Sequence, residues 1–421
     1  MNNSAPVDDC FAFGNRPISV TEALTHLRER SKPIVNVERC GLADAQGRFL
    51  SGPVVAPEAF PPFTNVAVDG FAFRARDLTG ERMTRLSLVK AKAAAGHPYP
   101  ARLQPGEAVE VRTGALLPEG ADTVVFAEAS RLEGETVLVP SSARPGANCR
   151  PAGEDIKAGQ TLFGSGHRLR AQDVGLLAEV CVSDIPVFRR LRVALASTGD
   201  ELVAPGEERG PGQISDVNRL ILMPLIRGLG MEVSDLGILR DDRTAVRKTL
   251  FGAAESHDAI VTSGGASASS EDHVARAIRE AGELAFWRIA MKPGRPLAFG
   301  QLGQSQIYGL PGNPVAAMVC FLRFARPSLI ALAGGGWSEP DRFPLPAAFA
   351  FESKPDRTEL LRATVRREAD GSASAVWIAK QGSGMLSSMT DATGLIEIDA
   401  ATTRVMPGDR VDFLPFSAFG I

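Results

Sequence analysis

Two rhythms of apolar and polar positions alternate along the chain. The stretch "ISVTEALTHLRER" places Leu24 and Leu27 at helical spacing, with Ser19 or Thr21 as the cap, and predicts a helix near the start. From about residue 34 to 190 the apolar runs are short and broken by Gly and Pro, as in "EAVEVRTGALLPEGADTVVFAEA" and "ETVLVPSSARPGANCR", which predicts β-rich modules. The short helix "RAQDVGLLAEV" closes this region. The rhythm then lengthens. Strand-like "LRVALAS", "MEVSDLGIL" and "DAIVTSGG" alternate with helical "DVNRLILMPLIRGLG", "DDRTAVRKTLFGAAES" and "SSEDHVARAIREAG". Strands "ELAFWRIAM", "PLAFG" and "QIYGLPG" follow, then the helix "NPVAAMVCFLRFA". Such alternation predicts a parallel α/β domain over residues 190–335. Beyond it, "TELLRATVRRE", "SAVWIAK", "GLIEIDA" and "DRVDFLPF" predict a small all-β domain over 336–421.

One run breaks the pattern. In "PPFTNVAVDGFAFRARD" an Asp-Gly pair sits inside apolar surroundings, although both residues are depleted in strand interiors. By local rules Asp69-Gly70 is a two-residue hairpin turn. The competing reading is an acid held ready for chemistry, with Gly70 leaving room for a ligand or a close backbone.

Length and composition narrow the function classes. A chain of 421 residues exceeds one compact core and implies several domains. A net charge of -3 gives no polyanion-binding surface, and two Tyr with three Trp make a poor stacking platform, so nucleic acid is excluded as a partner. Five cysteines are scattered without a C-x-x-C, which argues against a zinc knuckle or a disulfide framework and for a reducing, cytoplasmic setting. The N-terminal residues carry acids and no long apolar block, unlike a signal peptide. The apolar stretch 315–336 is interrupted by Arg323, Arg326 and Pro327, and reads as a core helix rather than a membrane span.

In an open α/β sheet, ligands bind beyond the carboxyl ends of the strands. Three loops leave strands there and enter helices: "STGDEL" (197–202), "TSGGASASSED" (262–272) and "GLPGNP" (309–314). Glycine lets backbone approach an anion, and helix N-termini attract phosphate. They carry Ser263, Gly264, Gly265, Pro311, Gly312 and Asn313 as candidate binding residues. In "MKPGRPLAFG", Lys292 and Arg295 are either a solvated turn or a pair of cations facing an oxyanion. Acids stand at other strand or loop ends: Asp69, Asp155, Glu201, Asp241, Asp242 and Asp272. Asp242 also suits a helix N-cap, and Asp272 a first-turn acid. Converging carboxylates of this kind hold Mg²⁺ beside phosphate. Neither a strand-following G-x-G-x-x-G nor a P-loop is present, and no nucleophile pairing is visible.

Taken in order, "AVDGFA", "VRTGALLPEGADTVV", "NCRPAGEDIKAG", "ASTGDEL", "ILRDD", "TSGGAS", "AFWRIAMKPGRPLAFG" and "GLPGNPVAAM" resemble the molybdopterin molybdenumtransferase family (bacterial MoeA and the gephyrin E-domain). The resemblance covers roughly residues 17 to 416. It implies an elongated N-terminal domain from two segments, 17–56 and 148–189, with a β-rich domain, 57–147, inserted between them. An α/β molybdopterin-binding domain, 190–335, and a C-terminal β-barrel, 336–421, follow. The implied reaction inserts molybdate into adenylylated molybdopterin with Mg²⁺ and releases AMP. Asp69, Asp155, Glu201 and Asp241 would be catalytic, with Mg²⁺ held by Glu201, Asp241 and Asp242. Thr113, Arg150, Asp272, Lys292 and Arg295 would join the loop residues in binding substrate, and Arg362 with Ser387 or Ser388 are weaker matches. The resemblance further implies a homodimer with shared active sites, and transient contact with molybdopterin adenylyltransferase and molybdoenzymes.

Several positions depart from the family pattern: Val66 stands for Ser, Phe71 for Tyr, Ser269 for Gly, His273 for Tyr and Arg295 for Lys. Val66 and Phe71 remove two hydroxyls expected beside Asp69. These departures open a second reading, a weakly active or inactive pterin-binding paralogue or scaffold. A third is another nucleotide pyrophosphatase on the same α/β domain.

Overall fold

The computed structural model describes residues 17–265 and 273–421. Its α/β domain is built on strands β1 (Arg192–Thr198), β2 (Glu232–Leu239), β3 (Ala259–Ser263), β4 (Glu283–Arg288), β5 (Pro296–Leu302) and β6 (Ser305–Leu310). They form one sheet in the order β2-β1-β3-β6-β5-β4. The parallel core expected from the alternation is β2-β1-β3-β6. Towards the other edge β5 alone is reversed, antiparallel to both β6 and β4, because it turns straight back into β6 through Gly303, whose φ is +60°.

Successive residues of the central strands enter different cores. Val193 and Leu195 of β1, Val261 of β3 and Tyr308 of β6 pack with helix α1 (Asn218–Gly228) on one face. Ala194, Ile260 and Ile307 face Val246 and Leu250 of α2 (Arg243–Ala254) and Val274 and Ile278 of α3 (His273–Ala281). Each fully buried aliphatic side chain contributes roughly 1.5–3 kcal/mol. Helices on both faces leave the loops at the carboxyl ends of β1, β3 and β6 open to a ligand.

Residues Pro314–Leu332 form a helix long and apolar enough to cross a membrane, yet 94% of its apolar window is buried inside the protein. It comprises α4 (Pro314–Cys320), a π turn (Phe321–Ala325) and α5 (Arg326–Leu332). Arg323 is buried within it and is neutralised by Glu397 at 3.2 Å and Glu339 at 3.3 Å. This is a core helix: Arg323 is ion-paired inside the protein, and Arg326 donates to the Phe419 and Ser338 carbonyls.

In the first half of the chain, Val37–Gly41 pairs antiparallel with Asp184–Phe188, and Val54–Val55 with Thr161–Phe163. Between these segments lies a separate six-stranded sheet, in the order Thr123–Phe126, Gly70–Phe73, Glu107–Val111, Met83–Ala93, Thr136–Pro140, Arg131–Glu133. Asp69-Gly70 is not a hairpin turn here. Gly70 opens a central strand and pairs with both Val111 and Phe126. A Cβ on Gly70 would lie 1.8 Å from the Val125 carbonyl oxygen, so only glycine permits this backbone approach.

At the C-terminus, Phe343–Pro346, Arg410–Pro415, Gly394–Ile398, Thr358–Arg367 and Ala373–Trp377 pair in series. A bridge between Ala347 and Ala375 closes the ring into a small barrel around Leu361, Ile396 and Phe413. Met291–Lys292 of the α/β domain adds to this barrel as a short parallel strand beside Thr358–Glu359. Backbone hydrogen bonding thereby continues from one domain into the other.

Candidate active site

A cleft of about 1120 Å³ opens between the carboxyl ends of β1, β3 and β6 and the edge of the barrel. Of the residues singled out from sequence, Glu201, Ser263, Lys292, Arg295, Pro311, Gly312 and Asn313 line it. All three strand-end loops therefore contribute. Gly264 lies behind Gly312, whose Cβ, if present, would be 3.9 Å from the Gly264 Cα. The glycines of this loop are needed for packing. A Cβ on Gly264 would lie 2.5 Å from the Thr198 carbonyl oxygen, and one on Gly265 2.8 Å from Val274. Asp272 and Ser269 lie outside the described residues.

Glu201 owes its place to Gly199. The side chain of Glu201 folds back over Gly199, where a Cβ would be 2.3 Å from the Glu201 Oε2. Gly199 also adopts φ +148°, which side-chain-bearing residues rarely reach. Beside it, Asp241 Oδ2 accepts from the Asp200 N–H and Asp200 Oδ1 from the Asp241 N–H, each at 3.2 Å. Asp241 thus stands one residue from Glu201, at the end of β2. Asp242 has a structural task. Its Oδ1 accepts the Ala245 N–H at 2.6 Å and caps α2.

Other cleft residues escaped the sequence reading. Asn218 Nδ2 donates to Ser263 Oγ and to the Gly312 carbonyl, both at 2.6 Å, and so ties two of the loops together. Ser263 in turn donates to the Pro311 carbonyl at 3.1 Å. Asp216 is buried, receives the Ser197 hydroxyl at 2.8 Å and pairs with Arg219. In sequence the polar residues of "ISDVNRL" pass for an ordinary helix start, which is why neither was singled out. From the barrel come Arg357 and the loop Gln381–Gly384. Arg362 does not line the cleft; it is buried, and donates to the Lys380 and Gly382 carbonyls and to Ser388 Oγ, all at 3.1 Å. Burial lowers its guanidinium pKa to about 10. Arg362 holds the loop that forms one wall. The Ser383 carbonyl of that loop accepts the Val315 N–H at the start of α4.

Asp69, Thr113, Arg150 and Asp155 do not line this cleft; they lie in the first half of the chain, where Asp69 and Thr113 form a second polar cluster. Asp69 Oδ1 accepts the Thr113 N–H at 2.8 Å and the Thr113 hydroxyl at 2.9 Å, while Oδ2 pairs with Arg112 at 2.9 Å. The Thr113 amide, then Arg112 and the Thr113 hydroxyl, lower the Asp69 pKa to about 2. Asp69 is therefore a fixed anion, too weak a base to take a proton near neutrality. Arg150 is placed next to this cluster by pairing with Asn65, since Val66 bonds Gly114 and Ala115. Asp155 is exposed on the loop that bonds to Phe60. Val66 and Phe71 are 1% and 5% exposed in two separate apolar clusters. Their substitution therefore bears on the core, and Thr113 supplies the hydroxyl at Asp69.

Neither Cys149 nor Cys320 is suited to thiolate chemistry. Burial first, and Asp122 second, push the Cys149 pKa up to about 11, and Cys320 is fully buried.

The cleft-bearing segment, residues 194–331, matches a family described as "Probable molybdopterin binding domain". Residues 18–181 match the MoeA N-terminal region (domain I and II), and residues 344–416 the MoeA C-terminal region (domain IV). The molybdopterin molybdenumtransferase of Haemophilus influenzae is 32% identical over 402 residues, covering 95% of this chain and 99% of that one. The chain belongs to the MoeA family. The Nostoc molybdopterin molybdenumtransferase is 37% identical over 302 residues, covering 70% of this chain and 69% of its own. The crystal structure of a MoeA protein from Pyrococcus horikoshii superposes with a TM-score of 0.80 at 31% identity, covering 95% and 99% of the two chains. MoeA membership extends over all the modules described above, including the barrel.

Proposed function

We propose that this chain is a molybdopterin molybdenumtransferase of molybdenum cofactor biosynthesis, binding molybdopterin in the cleft. The observation that carries this reading is the cleft itself. Glu201 stands there with Lys292 and Arg295 at the strand ends of the segment that matches a molybdopterin-binding family. In finer detail, the substrate is adenylylated molybdopterin. Lys292, Arg295 and the backbone of the Gly312–Asn313 turn hold its pyrophosphate. Glu201 and Asp241 orient the water that cleaves it. AMP leaves, and molybdate yields molybdenum to the dithiolene of the pterin.

No group of three or more potential metal ligands converges among the described residues. Mg²⁺ is ordinarily held by one or two carboxylates, with waters and substrate phosphates completing its shell. Glu201 and Asp241 fit that role, whereas the Asp242 carboxylate is occupied by its cap. When bound, the metal would neutralise charge developing on the phosphates. The fixed anion Asp69, with Thr113, Arg150 and Asp155, lies outside the cleft of its own chain. These residues complete the site of a second copy, making the active unit a homodimer that works in the cytoplasm. Transient contact with molybdopterin adenylyltransferase and with molybdoenzymes would serve substrate arrival and product delivery.

The test is incubation of the full chain with adenylylated molybdopterin, Mg²⁺ and molybdate. AMP release triggered by molybdate, with a product that activates an apo-molybdoenzyme, supports the proposal. Tight pterin binding without release points instead to a scaffold. Cleavage of unrelated dinucleotides without need of molybdate points to a pyrophosphatase.

A further inference from the structure

Asp69 stands at the end of a row of alternating charges on the inserted sheet. Lys92 of the strand Met83–Ala93 pairs in register with Glu110 of Glu107–Val111. Arg112 follows Glu110 by two positions and projects from the same face of the extended chain, its N–H bonded to the Ala93 carbonyl at 2.9 Å. The pairing of Gly70 with Val111 brings Asp69 alongside. Lys92 Nζ reaches both Glu110 oxygens at 2.8 Å. Arg112 Nη2 donates to Glu110 Oε1 at 3.0 Å, and Arg112 Nη1 to Asp69 Oδ2 at 2.9 Å.

Exposed ion pairs add little to stability, so the consequence of this row is orientation. An ionised carboxylate offers about four acceptor positions, two on each oxygen. Thr113 takes both on Asp69 Oδ1, through its N–H at 2.8 Å and its hydroxyl at 2.9 Å. Those bonds hold one oxygen only. Arg112 fixes the second, and among the described residues it leaves Asp69 a single free acceptor position, on Oδ2. A half-exposed arginine left to itself samples many rotamers. Here Glu110, 23% exposed and clasped by Lys92, holds the other edge of the guanidinium.

We infer that Arg112 is the positioning residue of Asp69, held in turn by Glu110, and that Asp69 meets the substrate or its water in the second copy's cleft through Oδ2 alone. The role given to Arg112 rests on the functional reading above and deepens it.

The test is molybdate-triggered AMP release by the full chain. Arg112→Ala should lower kcat about tenfold and change KM far less, because the carboxylate turns while the cleft stays intact. Arg112→Lys should be intermediate, since one ammonium replaces a two-edged fork. Added methylguanidinium should restore part of the activity of Arg112→Ala, and none to Asp69→Asn. Glu110→Gln should cost about threefold alone and nothing further in the Arg112→Ala background, because it acts through Arg112. Arg102→Ala, which breaks an exposed pair with Glu119 outside the row, should leave activity unchanged. An active wild type with an equally active Arg112→Ala overturns the assignment and leaves the transferase reading standing. So does methylguanidinium rescue of Arg112→Ala that persists in the Asp69→Asn background. A wild type that releases no AMP removes the transferase reading. A crystal structure of Arg112→Ala then decides for Arg112 if the Asp69 carboxylate has turned about its Thr113 bonds, and against it if the carboxylate is unmoved.

Discussion

At Asp69 and Glu201 the surroundings determine what each carboxylate can do. The bonds from Thr113 and Arg112 favour the ionised form of Asp69, so its pKa in the folded state lies below the ordinary carboxylate value. The sign follows: these bonds contribute to stability above the ordinary carboxyl range, and the contribution is lost as pH falls through about 2. Between about pH 5 and pH 8 the charge of Asp69 does not change. A pH–rate profile of the wild type should show no acid limb there that Thr113→Ala shifts; such a shift would make Asp69 a titrating base. Asp69→Asn should still lower kcat by about 100-fold or more, through loss of the fixed charge. Gly199→Ala tests Glu201 without removing it. The new methyl would displace the carboxylate and strain a φ of +148°. The cost in stability should be about 1–3 kcal/mol, whereas activity should fall about 100-fold. Equal kcat in Gly199→Ala and wild type would show that the position of Glu201 is unimportant.

At the scale of the element, Gly70 marks where a strand needs bare backbone. Gly70→Ala would set a methyl 1.8 Å from the Val125 carbonyl, so two strands of the inserted sheet must separate. The expected loss is about 3 kcal/mol or more, read as a fall in the denaturation midpoint. An unchanged midpoint would contradict the pairing of Gly70 with Phe126. Local sequence rules favoured a hairpin at this pair because they weigh turn propensity, whereas the close approach of Val125 depends on a strand more than fifty positions later. The strands and helices of residues 190–335 were legible because buried runs and amphipathic helices alternate there. The reversed sense of β5 was not, since an apolar run carries no direction. The loops bearing Glu201, Ser263 and Gly312 could be found from their glycines and strand ends. Asn218 could not, because an asparagine at a helix start usually reads as a cap. Arg357 and Gln381–Gly384 belong to another domain, and no spacing along the chain announces their arrival at the cleft.

The whole molecule presents two polar surfaces with complementary properties. One is a cleft with cations and Glu201; the other carries Asp69, Thr113 and Arg150 and lines no part of that cleft. If a dimer joins them, two inactive variants should rescue each other. Asp69→Asn mixed with Lys292→Gln, after dissociation and reassociation, should recover up to about a quarter of wild-type activity, because half of a random mixture is hybrid and each hybrid has one intact site. Hybrids with no activity, in a mixture shown to have exchanged, would place both residues in the site of a single chain.

The short parallel pairing of Met291–Lys292 with Thr358–Glu359 bears on how the protein can be divided. Cutting the chain at residue 335 would open the core of the α/β domain, because Leu360, Leu395, Leu414 and Phe419 pack into it and buried Arg323 would lose Glu397. The domain would also lack the neighbouring strand of the Lys292 turn, the wall held by Arg362 and the Arg357 side chain of the cleft. Protease nicking within the Gly335–Pro340 connection should therefore be tolerated while the halves remain associated, and abolish anion affinity once they are separated.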